Sequence, residues 1–205
     1  MGNTKREFII KDLMVQDFIV QEGREVLLAE TEETGKSELC VQLASDVNLC
    51  IANLDKKKTD FLFFQEGKTK SMYKRVDHLI FERQQGNQWK LHLIEMKGSV
   101  SQEKWVEIKG KFRASYLVAQ ALAGMLEMDI SETTMYTTYE RVEFVHSDTM
   151  PTARHGRLGI PQVRMEEEWK GIRFGLNFGE RISFEHVPVK MERDKGGMLA
   201  GQLKT

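Results

Sequence analysis

The sequence predicts an α/β fold: a central mixed β-sheet, built on an antiparallel meander and flanked by helices. Three observations predict it. Short apolar runs of strand length, Asp60–Phe64, Val76–Phe81 and Leu91–Lys97, follow one another across polar turns at Glu66-Gly67-Lys68 and Gln85-Gly86-Asn87. From Gln102 to Met128 the spacing becomes helical, with Trp105, Ile108, Phe112, Tyr116, Ala119, Ala123 and Leu126 three or four residues apart. A further run, Arg141–His146, then reads as a strand again.

The remaining elements follow in chain order. Residues 7–30 mix short apolar runs with single charges and suit strands or a helix–strand pair, and residues 31–38 (TEETGKSE) read as a loop. Asp46 can cap a short helix whose stripe is Val47, Cys50, Ile51 and Leu54, ended by Lys56-Lys57-Lys58 at the negative pole of the helix dipole. Gly98 and Ser99 close the third strand of the meander. Gly110 and Gly124 interrupt the long helical pattern, each at a cost of about 1 kcal/mol relative to Ala. Asp129–Thr138 reads as a polar connecting segment. Pro151 to Arg164 is loop-like and basic, with Arg154, His155, Arg157 and Arg164, and Ile182–Val189 alternates like a strand that Pro188 places at an edge or an end. The expectation is one domain over residues 1–205. Its core is about 38–146, its C-terminal extension 151–190, and its polar, Gly-rich tail 191–205 frays.

Composition narrows the function. The chain has 205 residues, 40% of them hydrophobic and 30% charged, with a net charge of −1. No whole-molecule field draws in nucleic acid, so any such binding must come from a local basic surface. Cys40 and Cys50 form neither a C-x-x-C pair nor a zinc spacing and read as reduced thiols. The N-terminal MGNTKREFIIKDL lacks a signal-peptide run, Arg6 disfavours myristoylation, and no stretch is long enough to span a bilayer. A soluble, cytoplasmic protein with no membrane partner is expected. There is no G-x-S-x-G elbow and no P-loop, which argues against Ser/His/Asp chemistry and intrinsic ATP-driven work. His78 and His92 have no cysteine partner nearby, which disfavours zinc.

The residues that carry chemistry lie in 75–98, RVDHLIFERQQGNQWKLHLIEMKG. Acid-x-Lys triplets recur at Asp55/Lys57, Glu66/Lys68, Glu95/Lys97, Glu107/Lys109 and Glu168/Lys170. Glu95/Lys97 alone ends an apolar strand and follows a strand that begins with an acid, Asp77. Alternation puts Leu91, Leu93, Glu95 and Lys97 on one face, where two charges are costly unless paired or bound to metal. Asp77 and Glu95 are the candidate ligands of Mg2+ or Mn2+, which take carboxylates, waters and phosphate oxygens. Lys97 is the candidate that acts on the attacking water or on developing negative charge. The turn decides whether this works. A two-residue turn at Gly86-Asn87 opposes Asp77 to Met96 and turns it away from Glu95, whereas a three-residue loop at Gln85-Gly86-Asn87 opposes it to Glu95. A loop one residue further along pairs Asp77 with Lys97, and a bulge can also correct the face.

This segment resembles the core of the PD-(D/E)XK, or restriction-endonuclease-like, nuclease superfamily: an Asp on one strand, a hairpin, Glu-x-Lys on the next strand, then a helix. The resemblance covers about residues 38–146, with Val76 standing where the pattern has Pro. It implies metal-dependent cleavage of DNA or RNA, often within a homodimer or larger complex. Some members add a third acid from the first core helix, for which Glu38 is the candidate, with Glu30 next to it in rank. Asp60, after a basic run, rivals Asp77. Lys104, Lys109, Lys111 and Arg113 are candidate nucleic-acid contacts on the helix, interleaved with Glu103 and Glu107, and Tyr116 and Gln120 can approach the site. The alternatives are a catalytically degenerate module of the same fold that binds nucleic acid or protein, and a structural or scaffold protein whose charged residues reach solvent or a partner at strand ends.

Overall fold

The computed structural model describes residues 5–10, 23–32, 35–56, 72–144 and 165–205. The expected strand at 60–64, with Asp60, and the basic loop 151–164 lie outside them.

The strands are β1 (Glu25–Glu32), β2 (Gly35–Gln42), β3 (Asn48–Ile51), β4 (His78–Arg83), β5 (Gln88–Glu95), β6 (Ser99–Ser101), β7 (Asp129–Tyr139), β8 (Arg141–Glu143), β9 (Gly175–Asn177), β10 (Arg181–Ser183), β11 (Glu185–Lys190), β12 (Glu192–Arg193) and β13 (Leu199–Lys204). The helices are α1 (Lys5–Phe8), α2 (Gln102–Met125) and α3 (Met165–Trp169). A five-stranded mixed sheet runs β11-β7-β5-β4-β3, and a second sheet runs β1-β2-β13-β12. Strands β3, β4 and β5 form the antiparallel meander, while β7 lies parallel to β5 and β11 parallel to β7. The expected α/β class, with a mixed sheet and helices beside it, is what the chain adopts, but the first strand of the meander is β3 and not the expected 60–64.

The five-stranded sheet is covered on both faces. Leu79, Phe81, Leu91, Leu93 and Met135 share one core with Trp105, Ile108 and Phe112 of α2. Cys50, Ile80, Ile94 and Tyr136 share a second core with Val26, Leu28, Leu39, Val41 and Leu203 of the other sheet. The period-2 side-chain alternation therefore sends odd-numbered residues of β4 and β5 toward α2 and even-numbered ones toward the second sheet. The cap of α2 is Ser101, whose Oγ accepts the Lys104 N–H at 3.3 Å, so the helix starts where its spacing indicated.

Five expectations are corrected. The helical stripe after Asp46 is instead β3, followed by a single 3-10 turn at Leu54–Lys56. All four β3 residues are buried, and a short apolar run looks the same to periodicity in either state. The segment 129–138 is not a connector but the eleven-residue strand β7. Its Thr and Tyr residues favour strands, and their hydroxyls find partners: Thr137 Oγ1 meets His186 Nε2 at 3.0 Å and Thr138 Oγ1 accepts the Lys97 N–H at 2.9 Å. Of the expected strand 141–146 the described residues show the short β8, 141–143, paired parallel with β6; residues 145 and 146 lie outside them. The tail 191–205 does not fray, because β13 inserts parallel to β2 between it and β12. The strand expected over 182–189 divides into β10 and β11, and Pro188 sits in β11 at the edge of the sheet, where its missing N–H costs no ladder bond.

Candidate functional site

The hairpin turn has an odd length. The Gln84 N–H donates to the Gln88 carbonyl at 2.8 Å and the Gln88 N–H to the Gln85 carbonyl at 3.1 Å, leaving Gln85-Gly86-Asn87 as the loop. Gly86 takes φ 63°, the left-handed conformation that a loop of this length needs. No neighbouring atom lies within 4 Å of a Cβ built there. Gly86→Ala should therefore cost about 1 kcal/mol through backbone strain alone, read as a small fall in Tm with the fold retained.

This loop fixes the register His78↔Ile94, so one residue further along Asp77 falls opposite Glu95. Both lie on the α2 face. Asp77 is buried, and its Oδ2 accepts the Met96 N–H at 2.6 Å. The strand leading to it is fastened by the Val76 N–H, which donates to Ser115 Oγ of α2 at 2.9 Å.

Glu95 is wholly buried. Its Oε1 carries two ammonium groups, Lys97 Nζ at 2.9 Å and Lys111 Nζ at 2.6 Å. Its Oε2 is buried with no hydrogen-bond partner among the described residues. Burial, then the neighbouring Asp77 charge, pushes the Glu95 carboxyl up to about 7, against the pull of the two lysines. Burial pulls Lys97 down, but the carboxylates of Glu95 and Asp77 outweigh it, with Glu30 adding to them, and its proton is held above the ordinary lysine range. Lys97 Nζ also donates to the Met96 carbonyl at 3.0 Å. The result is a desolvated cluster of two carboxylates and two ammoniums, open on its Lys97 side.

The structure brings Asp77, Glu95 and Lys97 together as the sequence indicated. It redistributes the other candidates. Glu38 belongs to the outer face of β2, in a different cleft with Cys40 and Glu192, and does not join the site. Glu30, on the buried face of β1, is the acid whose charge reaches Lys97. The helix cations do not form one phosphate-tracking stripe. Lys109 Nζ is held by the buried Glu168 at 2.7 Å and Lys111 by Glu95, while Lys104 Nζ reaches only the Ser99 carbonyl and hydroxyl at 3.3 and 3.1 Å. Arg113 is half-buried on α2. Tyr116 and Gln120 bond each other at 2.7 Å. His78 Nδ1 accepts the Asn53 N–H at 3.1 Å, and His92 faces the second sheet. The part played by Lys111 was the one missed. Its signal was present: it falls within the turn that also carries the buried Ile108, Phe112 and Ser115, a position from which a lysine must find an acid.

Among the described residues no group of three or more His, Cys, Asp or Glu side chains is placed to hold a metal, and no helix is long and apolar enough to cross a membrane. No protein-family model, curated protein or solved structure matches the chain.

Proposed function

We propose that this chain is a metal-dependent nuclease of the PD-(D/E)XK, restriction-endonuclease-like type, hydrolysing phosphodiester bonds in DNA or RNA. The observation that carries the reading is the three-residue turn, which faces Asp77 to Glu95 with Lys97 beside them. The chain order of acid-bearing strand, hairpin, Glu-x-Lys and helix supports it.

The residues fit a hard divalent cation. Mg2+ is commonly held by one or two carboxylates plus waters and substrate phosphate, so a third acid is not required. Asp77 and Glu95 would hold it, and the unpartnered Glu95 Oε2 offers the lone pairs. When bound, the cation supplies a water of lowered pKa and neutralises charge on phosphate oxygens. Lys97, fixed by Glu95 and the Met96 carbonyl, then orients the attacking water or stabilises the charge that develops on the phosphate. Lys111 balances the charge of Glu95 from the helix side.

One observation favours a second reading, a degenerate module of the same fold. Two lysines on one carboxylate already meet its need for positive charge without a metal.

Calorimetric titration with Mn2+ near pH 8, where Glu95 is largely ionised, separates the two. Binding by the wild type, weakened more than about 100-fold in both Asp77→Ala and Glu95→Ala, fits loss of direct ligands, since losing even a supporting residue costs roughly 10–100-fold. The isosteric Asp77→Asn and Glu95→Gln variants, checked by circular dichroism, guard against simple misfolding. Absence of a wild-type heat, or heats indifferent to all four changes, would leave the degenerate reading standing.

A further inference from the structure

A cleft of about 310 Å³ opens directly on Lys97. Its floor is the end of β5 and the residues after it, Met96 to Ser99; one wall is the second sheet, with Lys36 and Leu199, and the other is Arg141 of β8. Five cations line it, Lys36, Lys97, Lys104, Arg141 and Arg193, against the carboxylates of Glu30 and Glu140. In a chain whose net charge is −1, this is a local concentration of positive charge beside the candidate centre.

The cations divide by what they already hold. Arg193 grips both oxygens of Glu140 at 2.8 Å and its Nη1 donates to the Gly197 carbonyl at 2.8 Å. With the Met191 N–H donating to the Tyr139 carbonyl at 2.7 Å, this clamp fixes the second sheet to the end of β7 and so sets the spacing of the walls. Lys97 is committed to Glu95. Lys36, Lys104 and Arg141 are different. Among the described residues Lys104 meets only neutral oxygens of Ser99, and Lys36 and Arg141 form no ion pair. Lys36, Lys104 and Arg141 thus line the same cleft as Lys97 with no ion pair among the described residues, although Arg141 shares the field of Glu140, and their charged heads can receive phosphate oxygens. Among the described residues no aromatic ring lines the cleft, and charge rather than base stacking is what those residues offer a strand.

We propose that this cleft is the phosphate-backbone track for a single nucleic-acid strand leading to the Glu95 centre, held by Lys36, Lys104 and Arg141 without regard to base sequence. The inference rests on the nuclease-like reading of that centre and names how its substrate is gripped. A strand so held is recognised by charge, and its binding must weaken steeply with salt as counterions are released.

The test uses fluorescence anisotropy of a labelled oligothymidylate of about 20 nucleotides in EDTA, which separates the track from metal binding and cleavage. For the wild type, log K should fall against log salt with a slope of roughly −2, about 0.7 per cation for a single strand. Lys36→Ala/Arg141→Ala should bind roughly tenfold more weakly, with the slope reduced by about 1.4, and a labelled mixed-sequence strand should behave alike. Lys170→Ala/Lys204→Ala, which removes two exposed lysines outside the cleft, should match the wild type. No wild-type binding, a Lys36/Arg141 variant with unchanged slope, or equal losses in both double variants would overturn the track. Binding that follows the prediction in a protein that takes up no Mn2+ would keep the track and remove the nuclease.

Discussion

Lys111→Met should destabilise the protein by up to about 1.4 kcal/mol more near pH 8 than near pH 5, because its partner is a carboxylate that ionises between the two. Glu95 titrates near 4.5 when exposed and is raised to about 7 in the fold, chiefly by burial and then by Asp77. An acid raised on folding keeps its proton in the native state after the unfolded chain has lost it. Stability therefore falls as pH rises between those two values, by about 3 kcal/mol in all for a shift of this size. Lys97 works in another range. Its raised value adds stability that is fully present below the ordinary lysine pKa and is lost only as pH climbs beyond it. Between pH 5 and 8 Lys97 therefore adds no slope; Glu95 lowers stability as pH rises, while His92 and His186, held below their ordinary range by burial, add an opposing slope at the acid end that is common to wild type and variant. Removing Lys111 leaves Lys97 as the one cation on Oε1, raises the Glu95 carboxyl further and extends the loss into more alkaline solution. Near pH 5 Glu95 is protonated in both proteins, and the substitution deletes the contact of an ammonium with an uncharged carboxyl. At about 2–4 °C per kcal/mol for a chain of this length, the drop in Tm should be roughly 3–6 °C larger near pH 8 than near pH 5. Equal drops at the two pH values would show that Lys111 acts by packing and that the Glu95 charge does not govern the site.

The parts of this site legible in the sequence were those set by strand period and turn length. Once Leu91, Leu93, Glu95 and Lys97 share a face, whether Asp77 joins them depends on one integer, the number of residues in the turn. The sequence narrowed that integer without fixing it, and the hydrogen bonds of Gln84, Gln85 and Gln88 settle it at three. What was illegible has a common cause. Polar residues that are buried through mutual pairing look exposed when each is read alone. Thr134, Thr137 and Thr138 made β7 look like a connector, although each hydroxyl is bonded, to Glu185, His186 and Lys97 respectively. Lys109 and Lys111 looked like a solvated basic stripe, although both meet buried carboxylates. The C-terminal tail failed for a related reason: its burial comes from β2, more than 150 residues earlier in the chain, and no local pattern reports it. Glu30 and Glu38 show the limit of ranking by proximity in sequence. They lie on opposite faces of the second sheet, and that facing, set by the pairing Ala29↔Glu38, decides which acid is near Lys97.

Glu82→Ala should cost about 4 kcal/mol, the largest single loss of stability expected here. Glu82 and His92 are buried between the two sheets, with His92 Nε2 at 2.9 Å from Glu82 Oε2 and His92 Nδ1 at 3.1 Å from the Tyr136 hydroxyl. Glu82 Oε1 also accepts the Ser45 N–H at 2.8 Å. Burial pushes the Glu82 carboxyl up, but the hydrogen bond from His92 and the bonds from the Ser45 and Ala44 backbone outweigh it and hold the group below its ordinary range. Burial keeps His92 below its own range, against the pull of Glu82. Both shifts have one consequence for pH. The unfolded chain takes up protons that the native network refuses, so the network stabilises the protein at neutral pH and loses that effect as the solution is acidified. With an ionised Glu82 accepting, neutral His92 carries its proton on Nε2 and accepts the Tyr136 hydroxyl proton on Nδ1. Truncation to Ala leaves Nε2–H and the Ser45 N–H without an acceptor in a dry interface, and opens a cavity as well. Glu82→Gln keeps an oxygen in place and should cost less than half as much. Urea denaturation of the two variants reads the difference, and a loss below about 1 kcal/mol for Glu82→Ala would mean that water replaces the carboxylate. The interface matters beyond stability because Met96 and Leu199, which belong to this second core, also line the cleft. The Glu82–His92–Tyr136 network ties β4, β5 and β7 together in that core, beneath the end of β5 from which the cleft opens. Glu82→Ala should therefore weaken oligonucleotide binding even though Glu82 lies outside the cleft.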